Sequence, residues 1–175
     1  NEMFYITDSF NSDISNWDTS NVTNMQAMFG HYYNNRSSFN QNIGSWDVSN
    51  VTTMTRMFSS TPFNQDINNW DLSNLTEITY MFAGASSFNQ DLSNWDVSNV
   101  TDMGSMFEGA SSFNGDIGSW DTSNIKFMTS LFKGASSFNG DIGSWDTSNI
   151  KFMTSLFKGA SSFNGDIGSW DTSNI

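Results

Sequence analysis

Aspartate is the side chain with the most chemical potential in this sequence, and it recurs at a fixed interval. Asp18, Asp47, Asp71, Asp96, Asp121, Asp146 and Asp171 each follow a tryptophan. Asp13, Asp66, Asp91, Asp116, Asp141 and Asp166 form a second column, with Asn42 interrupting it. Carboxylates stacked about 4.8 Å apart, the spacing of neighbouring strands, repel by roughly 1 kcal/mol per pair in water, so something must offset them. Three chemistries fit. Each carboxylate can accept backbone N–H bonds in an Asp-x-Ser-Asn turn, which is the plain structural reading. Successive carboxylates can hold calcium as a ladder, a hard cation that takes oxygen ligands. Or the column can face a basic partner as an acidic ribbon. The glycine–aspartate nonapeptide of calcium-binding β-rolls is absent, which counts against the second.

Other polar columns run beside these. Asn11, Asn40, Asn64, Asn89, Asn114, Asn139 and Asn164 are unbroken and read as an internal ladder that satisfies turn carbonyls. Asn21, Asn35, Asn50, Asn74 and Asn99 lie in N-x-[ST] sequons and are glycosylation candidates in a eukaryotic secretory context, though ladder positions should resist it. His31 is the single histidine, sits in an insertion, and reads as an exposed loop residue. There is no cysteine, which excludes disulfides, thiolate zinc and thiol catalysis. No dinucleotide-binding, P-loop, HExxH or nucleophile-elbow pattern occurs. An active site is a singular constellation, whereas nearly every polar residue here is copied. The expectation is no enzyme.

The elements that position these columns follow from the tryptophans. Trp17, Trp46, Trp70, Trp95, Trp120, Trp145 and Trp170 are spaced by 29, 24, 25, 25, 25 and 25 residues, and Gly109–Ile150 recurs as Gly134–Ile175. A period of 25 predicts a repeat solenoid. The long interval comes from an insertion within 30–38, the short one from a missing residue in Ser59–Pro62. Ile14, Ile43, Ile67, Leu92, Ile117, Ile142 and Ile167 precede each tryptophan by three. Thr19, Val48, Leu72, Val97, Thr122, Thr147 and Thr172 follow it by two. This period-two rhythm predicts a short parallel strand with the tryptophans as an inward core ladder. Val22, Met25, Met28 and Phe29 then have helical spacing, with Ser20 or Asn21 to cap the start. Gly30 ends it in a left-handed conformation, repeated at Gly84, Gly109, Gly134 and Gly159 with Ser59 standing in.

The expected fold is therefore leucine-rich-repeat-like, one short parallel β-strand plus a short α/3-10 helical segment per 25-residue coil, about seven coils in all. Residues 1–9 read as a partial preceding coil and 10–175 as a single solenoid, a fragment of a longer array. Net charge is −12, from 18 acidic and 6 basic residues, which argues against nucleic acid and anionic membrane surfaces. Aromatics reach 15% against 14% charged residues, too many for a disordered acidic tail. No apolar run approaches the roughly 18 residues of a membrane span.

The motifs W-D-[VTL]-S-N-[VIL], M-x-x-[ML]-F and S-F-N-x-D-[IL], from Phe10 to Ile175, resemble those of the BspA-type leucine-rich-repeat surface proteins. The resemblance implies an extracellular or cell-surface solenoid, with adhesion to host or matrix proteins as the usual proposal. Two features depart from it. The insertion around Tyr32–Tyr33 reads as a local contact loop, and the last coils carry N-I-K in place of N-[VL]-T. Lys126, Lys133, Lys151 and Lys158 occur only there, read either as solvated or as paired with acidic columns. Near-identical coils favour a non-enzymatic structural element that forms a filament or appendage through self-association with identical chains. The alternative is a monomeric adhesin arm that binds an extracellular protein or glycan ligand. No cofactor is expected other than calcium.

Overall fold

Every repeat closes through a succession of tight turns. The structure, a computed structural model, describes residues 8–31 and 37–175. Tyr32–Tyr33, Asn35 and most of the partial coil expected over 1–9 lie outside the described residues. Among the described residues there is no helix, and strand-like pairing is limited to isolated parallel bridges such as Asn24↔Thr53, Thr53↔Glu77 and Asp102↔Phe127. The leucine-rich-repeat-like solenoid with a strand and a helical segment per coil is thus overturned. A stack of turn-built repeats stands in its place.

The segment expected to be helical shows why. Met57 N–H donates to the Met54 carbonyl at 3.0 Å, Ser59 to Arg56 at 3.2 Å and Thr61 to Phe58 at 3.2 Å. The alternate N–H groups leave the repeat altogether. Those of Met54, Arg56, Phe58 and Ser60 donate to Glu77, Thr79, Met81 and Ala83 of the next repeat at 2.8–3.0 Å. A helix interior keeps every N–H for its own i−4 carbonyl, so this alternation excludes one. Arg56 (φ 60°) and Ser60 (φ 59°) are left-handed, as are Tyr80, Ser105, Ser130 and Ser155 in the Arg56 column. A left-handed residue that is not glycine costs about 1–2 kcal/mol, and the cross-repeat hydrogen bonds offset it. A turn that closes at i+3 brings side chains back to one side, which is why the apolar spacing imitates a helical face.

The left-handed stop also falls one residue later than the glycine pattern suggests. His31 N–H donates to the Ser59 carbonyl, and Ser60 N–H to that of Ala83, just as Gly84 N–H donates to Glu108. Ser60, not Ser59, therefore takes the place of Gly84 (φ 71°). Gly30 is needed for a different reason: a Cβ there would lie 1.9 Å from the Arg56 carbonyl oxygen.

The tryptophan segment forms no strand either. Trp46 N–H closes a turn on Ile43 at 3.0 Å, and Val51 N–H closes another on Val48 at 2.9 Å. These turns use amides that a ladder would have sent sideways. The inward residues pack into one core running the length of the stack. Within a repeat, Phe58 and Phe63 are face to face at 3.9 Å with Trp70 at 6.3 Å. Between repeats, Phe58 meets Phe82 at 5.6 Å.

Candidate functional site

The aspartates take up their own turns. Asp47 Oδ1 accepts Ser49 N–H at 3.0 Å and the Ser49 hydroxyl at 2.6 Å. Asp18 with Ser20, Asp96 with Ser98 and Asp146 with Ser148 repeat both bonds. Asp71, Asp121 and Asp171 accept the N–H of Ser73, Ser123 and Ser173 at 2.9–3.0 Å. The second column does the same two residues on, for example Asp66 with Asn68 and Asp116 with Gly118. Asn42 accepts Gly44 N–H at 3.0 Å in that column. The position thus needs an acceptor oxygen and works without a charge.

Electrostatics agree with that geometry. The Ser49 hydroxyl and amide hold Asp47 below the ordinary aspartate value, while burial and the charges of Asp71 and Asp18 push upward. Asp146, between Asp121 and Asp171, is balanced in the same way by Ser148. At Asp47 and Asp146 the repulsion of stacked carboxylates is present, and the serine of the turn outweighs it. All seven aspartates of the calcium-ladder reading are exposed. Among the described residues, no group of three or more His, Cys, Asp or Glu side chains is gathered as for a metal ion.

The remaining columns bond one repeat to the next. Asn40 N–H donates to Asn11 Oδ1 at 2.8 Å, and the pattern continues through Asn64, Asn89, Asn114, Asn139 and Asn164. Of the sequon asparagines, Asn50, Asn74 and Asn99 donate Nδ2–H to the carbonyls of Ser20, Ser49 and Ser73, each at 2.8 Å. The nitrogen a glycan would occupy is committed there. Asn21 Nδ2 reaches only its own neighbour, Ser20 Oγ, at 3.4 Å. Trp46, Trp70, Trp95, Trp120, Trp145 and Trp170 each donate Nε1–H to the Ile or Leu carbonyl of the preceding repeat at 2.9–3.3 Å. Trp46 through Trp145 are buried, whereas Trp17 is 39% exposed. Where threonine replaces valine in that segment, its hydroxyl finds a carbonyl: Thr122 donates to Asp146 and Thr147 to Asp171, both at 3.0 Å.

His31 is a correction. It is 3% exposed, not a solvated loop residue, with Nε2 3.9 Å from Asp8 Oδ1. Its backbone N–H is tied to Ser59, and that register carries the ring inward.

Several contacts have little signal in the repeat pattern because they occupy its variable columns. Lys133 Nζ meets Glu108 Oε1 at 2.7 Å, one repeat apart. The Arg56 guanidinium lies 3.9 Å from the Tyr80 ring centre. Phe127 and Phe152 stack at 5.5 Å while 37% and 54% exposed. Alignment of the columns does carry a hint of this pair, since Lys-Phe replaces Thr-Asp at the same place. A hydroxyl-lined groove at the short repeat involves Ser37, Ser60, Thr61, Pro62, Gly84 and Ser86. No described helix is long and apolar enough to cross a membrane.

Two overlapping segments, residues 1–95 and 88–175, match the model of the family described as Mycoplasma protein of unknown function, DUF285. Comparison with curated proteins and with solved structures returns no match.

Proposed function

Because the chain belongs to the DUF285 family of Mycoplasma repeat proteins, BspA-like in a broad sense, we propose that it is a non-enzymatic structural element. It acts outside the cell or at its surface, building a filament or appendage by association of identical chains. The observation that supports this is where the polar side chains direct their hydrogen bonds. The Asn11-type, Asn50-type and tryptophan columns link neighbouring repeats, and the aspartates close turns. An enzyme requires unlike groups converging on one point, and a regular ladder offers the same groups everywhere. Regular lateral surfaces suit repeated, open-ended contact.

The test is molar mass by light scattering across protein concentration, with calcium and with a chelator. Growth to an open-ended distribution supports assembly. A concentration-independent species of 19.6 kDa overturns it. Loss of the large species in chelator would give the aspartate columns a calcium-binding role; indifference would leave them as turn acceptors.

The groove lined by Ser37, Ser60, Thr61 and Ser86 favours a second reading, a monomeric adhesin arm for a glycan ligand. Hydroxyls and a nearby proline suit sugar hydroxyls and faces. A glycan array read with wild type and with Ser86→Ala, at an exposed hydroxyl of the groove, separates the two.

A further inference from the structure

We propose that the Lys-Phe ridge of the last repeats, formed by Lys126, Phe127, Lys151 and Phe152, docks on the aspartate column of a second copy of this chain. The proposal rests on the self-assembly reading and names the surfaces through which copies meet.

The ridge lies on the bridge column. Asp102, Phe127 and Phe152 pair in parallel through isolated bridges, so their side chains follow one another along one face. At this column the earlier repeats carry Asn24, Thr53, Glu77 and Asp102. The change to phenylalanine is therefore a local replacement of polar residues by an exposed, stacked aromatic pair. Lys126 and Lys151 precede them, exposed and with no ion pair among the described residues. Contiguous exposed apolar side chains with polar neighbours mark interaction surfaces, and aromatics are enriched there.

Charge selects the occupant. Residues 126–175 hold four aspartates and four lysines and are neutral, so the whole net charge of −12 lies in residues 1–125. That region presents Asp18, Asp47, Asp71 and Asp96 as exposed carboxylates without a basic partner among the described residues. The match is also geometric. Lys126 and Lys151 recur once per repeat, and so do the aspartates, so the two ladders share one pitch. Two lysines of one copy face two carboxylates of another without distortion of either stack. Because ridge and acid column are different surfaces of one chain, the contact is heterologous, and such contacts propagate into open chains.

The experiment uses two variants of the full chain. The first, Lys126→Thr/Phe127→Asp/Lys151→Thr/Phe152→Asp, installs the residues found at Thr101–Asp102 and removes the ridge. The second, Asp18→Asn/Asp47→Asn/Asp71→Asn/Asp96→Asn/Asp121→Asn/Asp146→Asn/Asp171→Asn, removes the charge of the whole column and keeps the acceptor oxygen, as Asn42 does. Sedimentation of wild type should show concentration-dependent association that weakens as salt rises. Each variant alone should associate at least about tenfold more weakly, the equivalent of about 1.4 kcal/mol. An equimolar mixture should recover a dimer of about twice 19.6 kDa, since one intact ridge then meets one intact acid column. If both variants associate like wild type, the ridge proposal fails while self-assembly stands. If wild type is monomeric at every concentration, self-assembly itself fails. Lysine-dependent pelleting of such a monomer with phosphatidylserine vesicles would assign the ridge to lipid and overturn the proposal.

Discussion

The two halves of each repeat are joined to their neighbours by different means. In the tryptophan half, side chains do the joining: Trp70 Nε1–H to Ile43, Asn74 Nδ2–H to Ser49, and Asn64 N–H to Asn40 Oδ1. In the methionine–phenylalanine half the backbone does it, from Met54, Arg56, Phe58 and Ser60 to the next repeat. Where side chains carry the joint, residue identity is fixed, and Trp, Asp, Ser and Asn recur in every copy. Where amides carry it, the outward side chain is released. The Arg56 column runs Ala27, Arg56, Tyr80, Ser105, Ser130, Ser155, and the bridge column runs from Asn24 to Phe152. Variation accumulates on the half whose cohesion does not depend on it, and the Lys-Phe ridge arises there.

That contrast can be broken most severely at a buried tryptophan. Trp95→Ala should lower unfolding stability by about 3–5 kcal/mol in denaturant titration, through a cavity and the orphaned Ile67 carbonyl. Trp17→Ala, at a side chain 39% exposed, should lose far less. Equal losses would mean that the ladder does not depend on burial. Next comes Asn89→Ala, which strips the acceptor from the exposed Asn114 N–H and should cost about 0.5–1.5 kcal/mol. Asn89→Asp, which keeps an oxygen there, should be milder by the same measurement.

The backbone-joined half should respond with the opposite sign. Ser130→Gly relieves a left-handed residue (φ 58°), and a gain of up to about 1 kcal/mol is expected. A loss would mean that the hydroxyl, not the backbone, matters there. The smallest effect is electrostatic. Asp47 lies below its ordinary value when folded, chiefly through the Ser49 hydroxyl. Its contribution is thus complete above the unfolded value of about 3.9 and is lost as pH falls through the lower folded value. Ser49→Ala should raise the Asp47 titration midpoint seen by NMR, so that acid loss begins at a higher pH. An unmoved midpoint would remove serine from the account.

The period, the columns and the core were legible because each recurs with its chemistry intact. Turns closed by an Asp or Asn side chain two residues back were legible for the same reason, as Asp47 with Ser49 and Asn42 with Gly44 demonstrate. Element type was not. Met54, Met57 and Phe58 have the spacing of a helical face, but turns closing at i+3 produce it equally, and nothing in Arg56 or Ser130 announces a left-handed backbone. The strand reading at Trp46 failed because alternation reports which side chains face inward, not where amides go. The burial of His31 was not legible because its column is serine or glycine elsewhere, Ser60 and then Gly84, and the sequence offers no equivalent side chain to align it with.

The alternation of amide bonds in the Met54–Thr61 turn has a consequence at the level of the gene. Every repeat offers its neighbours the same rungs, and Gly109–Ile150 is already copied as Gly134–Ile175. Loss or gain of a whole repeat by replication slippage joins surfaces that fit as before, so length becomes a heritable variable. A frame-preserving slip of a few residues is absorbed where the connecting loops already vary, within 30–38 and at Ser59–Pro62, and would break the alternation if it fell inside Met54–Phe58. Such a molecule can be lengthened or shortened by generations of copying errors while its cross-section stays the same.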